Sequence, residues 1–285
     1  MEVKKATPRV SVGVPVRNGG KYIEAAIQSL VSQTEQDIEI IISDNASNDG
    51  SECYLKSLPD LDQRIRYFRQ EHALRAYDNF RFVLEQARGQ YFMWAAHDDT
   101  RDIDFVATLA NRLDQDVAAV LAFGDIFIVT PENTIGRMQP FPFSTVGLGR
   151  WRRMTKVSRL QCFNIYGLWR TSALRRVPYS YCSWWPDLPM MMSAAWIGYF
   201  AYAADTRLYY FETPKAGIDR VKYQDFASRF NLPVAVLQLV VATYRSCSQV
   251  GGPAAGLFAA GLVLWKQVVS FPGFLARRIR KAFVR

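Results

Sequence analysis

Tyr91–Phe92–Met93–Trp94–Ala95–Ala96–His97–Asp98–Asp99 is an apolar run of strand length that stops at two adjacent carboxylates. No basic residue follows until Arg101. In an open α/β sheet, ligands gather beyond the carboxyl ends of the parallel strands, so acids placed there face a crevice. Neighbouring carboxylates repel each other, and the usual compensation is a divalent cation or exposure to water. The stretch alone leaves two readings of Asp98 and Asp99 open. One is a metal site; the other is the solvated start of a helix over residues 102–113, with Asp as N-cap.

Upstream, strand and helix signals alternate. Residues 9–16 set Val10, Val12, Val14 and Val16 at alternate positions with small residues between them, a buried strand. Pro15 has no amide hydrogen and belongs at that strand's end, and Arg17, Asn18, Gly19 and Gly20 make a turn. Ile23, Ala26, Ile27, Leu30 and Val31 share one helical face. Residues 38–43 are nearly all apolar, as in a parallel strand covered on both faces, and lead into the polar loop 44–50 and a short helix. Residues 65–68 predict a third strand. Tyr77, Phe80, Val83, Leu84 and Ala87 make the next helix face, with Gly89 placed to cap it.

This alternation over about 100 residues predicts an α/β fold with a doubly wound, mainly parallel sheet. Polar groups follow three of its strands: Asn18, then Asp44, then Asp98 with Asp99. That arrangement suits a nucleotide-sized ligand. The glycine patterns GxGxxG and GxxxxGKS/T are absent, so a bound phosphate has no glycine cradle. Carboxylates acting through a metal are the natural substitute.

Downstream, residues 117–123 predict a strand that Gly124 and Asp125 break before a further strand at 126–130, with a turn at Pro131, Glu132 and Asn133. Residues 137–160 hold Pro140, Pro142, Gly147, Gly149 and the run Arg150, Trp151, Arg152, Arg153 without clear periodicity. They predict a long loop, functional or simply solvated. Residues 164–170 read as strand into turn. Trp184, Trp185, Pro186 and Asp187 precede a helix with Leu188, Met191, Met192, Ala195 and Trp196, and residues 200–202 and 207–211 predict the last strands.

Hydrophobic residues make up 49% of the 285 and charged residues 21%, which excludes a disordered or wholly membrane-embedded chain. The net charge of +9 is unevenly placed. Residues 226–285 contain no acid and eight basic residues: Arg229, Arg245, Lys266, Arg277, Arg278, Arg280, Lys281 and Arg285. Residues 1–225 are therefore near neutral. The division predicted is a globular domain over 1–225 and a basic, apolar helical tail over 226–285. Cys53, Cys162, Cys182 and Cys247 are scattered, without metal-ligand spacing, and read as free thiols. The polar, basic residues 1–9 lead into no apolar run, so a cytoplasmic body without a signal peptide is expected.

Together these residues resemble the inverting family 2 glycosyltransferases of the GT-A fold, and within them the bacterial rhamnosyltransferase-like members. The resemblance covers roughly residues 8–215. It rests on the order and spacing of residues 10–18, 42–50, 87–92, the acids at 98–99, and Tyr166, Gly167, Leu168, Trp169 and Arg170. It implies that Pro15, Val16 and Asn18 line the donor nucleotide pocket and that Asp44 hydrogen-bonds the base or ribose. Asp98 takes the place of the metal-binding second acid of the DxD motif, with Asp99 beside it. The first acid of that motif falls on Ala96, so a divalent Mg or Mn ion would lean more on the donor diphosphate. His97 stands to approach the ribose or metal, or to fill the mouth of the site. By position, Asp187 matches the general base, which inversion requires within reach of the acceptor hydroxyl; the other reading is a helix N-cap. Trp184 and Trp185 are candidates for stacking on an acceptor sugar or lipid.

In the tail, residues 232–244 and 253–265 are apolar stretches of about 13, shorter than the roughly 20 a bilayer crossing needs. Phe274, Leu275, Ile279, Ala282 and Phe283 fall on one helical face, with Arg277, Arg280, Lys281 and Arg285 mostly on the other. That pattern suits a helix lying on an anionic membrane surface; packing on protein, including an oligomer partner, is the alternative. The apolar content argues against a nucleic-acid partner. The activity expected is transfer of a sugar from a nucleotide-diphosphate sugar to a glycan or lipid-linked acceptor, in bacterial surface polysaccharide synthesis, at the inner face of the plasma membrane. A non-catalytic scaffold that binds nucleotide or glycan is the competing reading, favoured by Ala96. A nucleotidyltransferase is disfavoured because only residues 17–20 stand where its phosphate loop would be.

Overall fold

The computed structural model describes residues 7–130, 135–137, 143–160, 162–178, 187–211 and 232–282, with the side chains of the last helix described over 235–266. Trp184, Trp185, Cys182, the turn at Pro131–Asn133 and the expected boundary at 225/226 lie outside these residues. The chain forms two compact units. The first comprises Met1–Val146, Phe163–Leu174 and Tyr199–Pro214; the second comprises Gly147–Cys162, Arg175–Gly198 and Lys215–Arg285.

The first unit is built on one mixed sheet. In chain order it contains β1 (Val10–Val16), α1 (Ile23–Val31), β2 (Ile38–Asp44), α2 (Ser51–Leu61), β3 (Ile65–Arg69), α3 (Ala76–Glu85) and β4 (Tyr91–Trp94). It continues through β5 (Thr100–Arg101), α4 (Phe105–Asp114), β6 (Ala119–Val129), β7 (Ile135–Arg137), β8 (Leu168–Arg170) and β9 (Tyr199–Phe211). The strand order is β3-β2-β1-β4-β8-β6-β9-β5, with β7 paired to β6. Strands β3, β2, β1 and β4 run parallel; β8 is antiparallel to both β4 and β6. Strand β9 runs parallel to β6, and β5 pairs antiparallel with β9.

Every residue of β1 and β2 is buried, which is why both are mainly apolar: their two faces are covered. Helix α1 buries Ile23, Ala26, Ile27 and Leu30, four of the five residues its spacing placed on one face. Helix α4 buries Phe105, Val106, Leu109, Ala110 and Leu113 against the same core.

Several local expectations change. Gly124 and Asp125 do not end a strand, since β6 runs through them with a register shift between Phe123 and Asp125. Gly124 is needed there because a Cβ would stand 2.2 Å from the Thr206 carbonyl oxygen of β9. Residues 200–211 are likewise one strand rather than two. Gly89 does not cap α3, whose C-cap is Gln86; a Cβ at 89 would stand 2.6 Å from the Ser11 amide of β1. The helix expected from 102 begins at Phe105, because Thr100 and Arg101 pair with β9 first. Residues 163–166 form a turn that precedes β8, reversing the expected order.

The second unit consists of α5 (Arg150–Val157), α6 (Asp187–Ile197) and α7 (Leu232–Ala282). Helix α5 lies inside the stretch expected to be loop. Its Arg153 is buried and points inward. The guanidinium donates to the carbonyls of Ala195 (2.6 Å) and Trp196 (3.0 Å), the last turn of α6, and to Leu148 O (3.1 Å). This caps the otherwise unpaired carbonyls at a helix C-terminus with positive charge. The arginine is thus committed to protein carbonyls rather than to solvent.

Helix α7 holds the two apolar tail stretches as helical segments that meet at a kink at Gly252 (φ 78°, ψ 175°), a positive-φ conformation glycine adopts without strain. Its segment Ala235–Lys266 is long and apolar enough to cross a membrane by length and composition. One face, however, is packed on protein. Ser246 Oγ and Ser193 Oγ of α6 lie 2.8 Å apart, Ala255, Ala259 and Val263 are buried, and Lys266 Nζ donates to Ser158 O at 2.8 Å. Trp151 of α5 meets Trp196 and Phe258 edge-on, each at 4.9 Å.

Candidate functional site

The carboxyl ends of β1, β2 and β4 carry the groups the sequence singled out. After β1, Asn18 adopts positive φ (54°), and its amide donates to Ser47 Oγ at 2.9 Å. Its Oδ1 accepts from the Asn48 amide at 3.0 Å. The turn after β1 is therefore tied to the loop after β2. Gly20 extends that tie through its amide, which donates to Asp49 Oδ2 at 2.8 Å. Pro15 and Val16 are buried beneath it, opposite Ser43 and Asp44 across the parallel pair.

Asp44 is fully buried, and the structure gives its carboxylate protein partners. Oδ1 accepts from the Ser47 amide at 2.9 Å; Oδ2 accepts from Tyr67 Oη at 3.0 Å and from Arg69 Nη1 at 2.5 Å. Arg69 also contacts Ser47 O (3.2 Å) and Glu52 (3.2 Å). Burial and the Asp44 charge push the Tyr67 hydroxyl up to about 12, so it remains a donor. Asp44 thus organises this strand end through Ser47, Tyr67 and Arg69. The solvent-reaching group at this strand end is Arg69, whose side chain is 36% exposed. Sequence reasoning passed over Arg69 and Tyr67. The available signal was the register, since Arg69 is the direct cross-strand partner of Asp44.

The two acids after β4 have different environments. His97 and Asp98 are half-buried, whereas Asp99 is fully buried. Asp99 Oδ1 accepts from the Phe211 amide at the end of β9, at 2.9 Å. Its Oδ2 has no hydrogen-bond partner among the described residues. Burial, with the charge of Asp98 alongside, raises the Asp99 carboxyl to about 7. Arg101 is also buried, which lowers its guanidinium to about 10. The antiparallel pairing of Thr100 with Tyr209 and Arg101 with Leu208 brings the end of β9 to Asp99, and the Phe211 ring lies tilted against Tyr22 with centroids 4.9 Å apart.

Asp99 Oδ1 thus ties the end of β9 while its Oδ2 has no partner among the described residues, and Asp98 is the more accessible acid of the pair. Among the described residues no group of three or more His, Cys, Asp or Glu could hold a metal ion by itself. A single carboxylate is nonetheless enough for a hard cation that takes its remaining oxygens from a diphosphate and water.

In the second unit, Asp187 opens α6 in its first turn, where a carboxylate suits the positive end of the helix dipole. It is half-buried, and burial raises its carboxyl to about 6. The thiol of Cys162, in a left-handed conformation (φ 64°), is pushed up by burial and by the Asp187 charge.

The fold is shared with solved structures. The chain superposes on the crystal structure of Staphylococcus aureus TarS residues 1–349 in complex with UDP-GlcNAc (TM-score 0.67, 15% identity, 93% of this chain and 75% of that one). The UDP complex of the same protein gives 0.64, also at 15% identity, over 93% and 74%. This is the GT-A type of α/β fold.

The family model "Glycosyl transferase family 2" matches residues 11–180, more than half of the chain. The chain belongs to glycosyl transferase family 2. It is 33% identical over 122 residues to the GalNAc(5)-diNAcBac-PP-undecaprenol beta-1,3-glucosyltransferase of Campylobacter jejuni, covering 42% of this chain and 39% of that protein. It is also 34% identical over 110 residues to an uncharacterized glycosyltransferase of Rickettsia felis (38% and 18%), and 33% over 106 residues to glycosyltransferase GlyA of Streptococcus pneumoniae (37% and 15%). The chain thus spans less than half the length of these curated relatives. Asn18, Asp44, Arg69 and Asp98 fall within the family match, and Asp187 lies beyond its end.

Proposed function

We propose that the protein transfers one sugar from a nucleotide-diphosphate sugar to a glycan or lipid-linked acceptor, with inversion at the anomeric carbon. The observation that carries this reading is the division of labour after β4, which leaves Asp98 accessible at a parallel strand end within the family match. Asp98 would hold a divalent Mg or Mn ion with the donor diphosphate. Such an ion supplies Lewis-acid stabilisation of the departing diphosphate. The absence of an acid at position 96 is consistent with an ion held largely by the donor's own oxygens. Asn18 and the Asp44–Arg69 pair shape the nucleotide side, with Arg69 as the group that reaches a ligand and Asp44 as the group that positions it. His97, beside Asp98, stands at the ribose or diphosphate.

Asp187 acts as the base. As the acceptor oxygen forms its bond to the anomeric carbon and the diphosphate leaves, the hydroxyl proton passes to the Asp187 carboxylate. A carboxyl raised to about 6 is ionised at neutral pH yet basic enough to accept that proton. The transition state resembles an oxocarbenium ion, which a nearby carboxylate also stabilises. Trp184 and Trp185 precede this base in sequence and are the proposed acceptor contacts.

The printed name of the Campylobacter relative, with its undecaprenol-linked acceptor, supports a lipid-linked acceptor in surface polysaccharide synthesis. The TarS complexes support a UDP sugar as the first donor to test. A cytoplasmic protein held peripherally at the inner face of the plasma membrane through residues 226–285 fits such an acceptor. A non-catalytic scaffold that binds nucleotide or glycan is the second reading, motivated by Ala96.

The test is thermal stability with UDP, GDP, dTDP or CMP, each with and without Mn²⁺ or Mg²⁺. A ligand at 100 times its dissociation constant stabilises a fold by about 2.7 kcal/mol. A metal-dependent shift with one diphosphate supports the donor site. No shift with any nucleotide would favour the scaffold, and so would a shift without sugar transfer.

A further inference from the structure

Helix α7 has two faces with different fates. Beyond the break at Gly252, Ala255, Ala259 and Val263 are buried, and Lys266, on the same side by helical spacing, is tied to Ser158 O. On the opposite side Leu257 is 66% exposed, Leu264 49% and Trp265 68%. These three stand at i, i+7 and i+8, one stripe of a helix. The helical backbone continues to Ala282, and the register of Leu257 and Leu264 runs on through positions Val268, Phe271, Leu275 and Ile279. Arg277, Arg280 and Lys281 fall off that line, and residues 226–285 contain no acid.

We propose that this stripe is a membrane-docking face, on which the second half of α7 lies in the plane of an anionic bilayer. The proposal deepens the peripheral location suggested above and rests on that reading. Three large apolar side chains standing together on one exposed stripe mark an interaction site rather than ordinary surface. Charge selects the partner. A second copy of this chain would bring two basic, acid-free segments together, whereas anionic headgroups complement them. Trp265 suits the headgroup boundary, where the indole can bury its ring and keep its N–H hydrated. Lying flat fits better than crossing, because the other face is already packed on α5 and α6 through Phe258, Ser246 and Lys266. A crossing helix would have to give up those contacts.

The experiment is flotation of the full-length protein with vesicles of phosphatidylcholine alone or mixed with phosphatidylglycerol, at low and high salt. Binding is expected only to the mixed vesicles and weakens as salt rises. The variant L257S/L264S/W265S should lower the partition by about tenfold or more. It should keep its thermal stability and any nucleotide-induced shift, which shows that it folds. A second variant, R277Q/R280Q/K281Q, should weaken binding to the mixed vesicles and flatten the salt dependence.

Wild-type protein that stays unbound at low salt, or a triple apolar variant that binds as well as wild type, would overturn the proposal. So would a dimer in solution that the apolar variant dissolves without any vesicle binding. Vesicle binding without sugar transfer would keep the docking face and remove the enzymatic reading. Transfer to a soluble acceptor without vesicle binding would do the reverse.

Discussion

The backbone amide of Phe211 donates to Asp99 Oδ1 at 2.9 Å, while the adjacent Asp98 remains half-buried. Asp99 closes the end of β9 onto the sheet through Oδ1, and Asp98 is the acid proposed to hold the donor's metal ion. Asp98→Asn should abolish the metal-dependent nucleotide shift and lower transfer by about two orders of magnitude, the scale of losing a Lewis-acid contact. Its unliganded stability should change little. Asp99→Asn keeps an acceptor oxygen for Phe211 and should retain the nucleotide shift. Thermal unfolding of both variants with and without nucleotide and Mn²⁺ checks this, and the opposite pattern would exchange the two roles.

Asp187 gives a pH dependence of defined sign. Its folded carboxyl is raised to about 6 from an ordinary value of 3.8. The folded state therefore holds the proton more tightly than the unfolded state. The stability this group contributes is full below its unfolded pKa and is lost as pH rises to about 6. Activity runs the other way, since the base must be ionised: transfer should rise with pH through a limb near 6. Asp187→Asn should abolish transfer and stabilise the protein at pH 7 by about 1–3 kcal/mol, discounted for partial exposure. A pH–rate profile together with unfolding at pH 5 and pH 8 would show both effects; undiminished turnover in the variant removes the base.

Arg69 supplies the main counter-charge to a fully buried carboxylate. Arg69→Ala should destabilise the fold by about 1–3 kcal/mol, because Asp44 keeps only Tyr67 and the Ser47 amide. It should also raise the donor KM more than it lowers kcat, since the contact proposed for Arg69 is to the nucleotide rather than the reacting carbon. Equal loss in kcat and kcat/KM would place Arg69 at the transition state instead.

The parts of the fold legible in the sequence are those whose neighbours leave a periodic mark. Strands β1 and β2 are buried on both faces and read as mainly apolar stretches. The placement of Asp98 just past β4 was legible because an apolar run of strand length stops there, and strand ends in α/β sheets are where ligands collect. The role of Asp99 was not, because it depends on an amide 112 residues away. Arg153 was misleading for a related reason. A basic side chain in an aperiodic stretch reads as solvent-facing, yet its guanidinium is buried against the carbonyls of α6. Asp44 was recognised as important, but its partners Tyr67 and Arg69 become visible only once β3 is set in register beside β2.

Gly124 tests the register of β6 against β9. A Cβ there would stand 2.2 Å from the Thr206 carbonyl oxygen, a backbone atom that cannot rotate away. Gly124→Ala should therefore cost about 2 kcal/mol or more, within the range for overpacking a closed interior. A denaturant midpoint unchanged from wild type would mean the two strands do not approach this closely.

The most direct measurement is release of nucleoside diphosphate from the donor selected by thermal shift, with polyprenyl-linked glycans as acceptors. Wild type, Asp98→Asn and Asp187→Asn would be compared, and the anomeric configuration of the product read by NMR. Acceptor-dependent release by wild type, lost in both variants, with an inverted product, is the result expected. Undiminished release in either variant, or a product with retained configuration, would contradict the assignment.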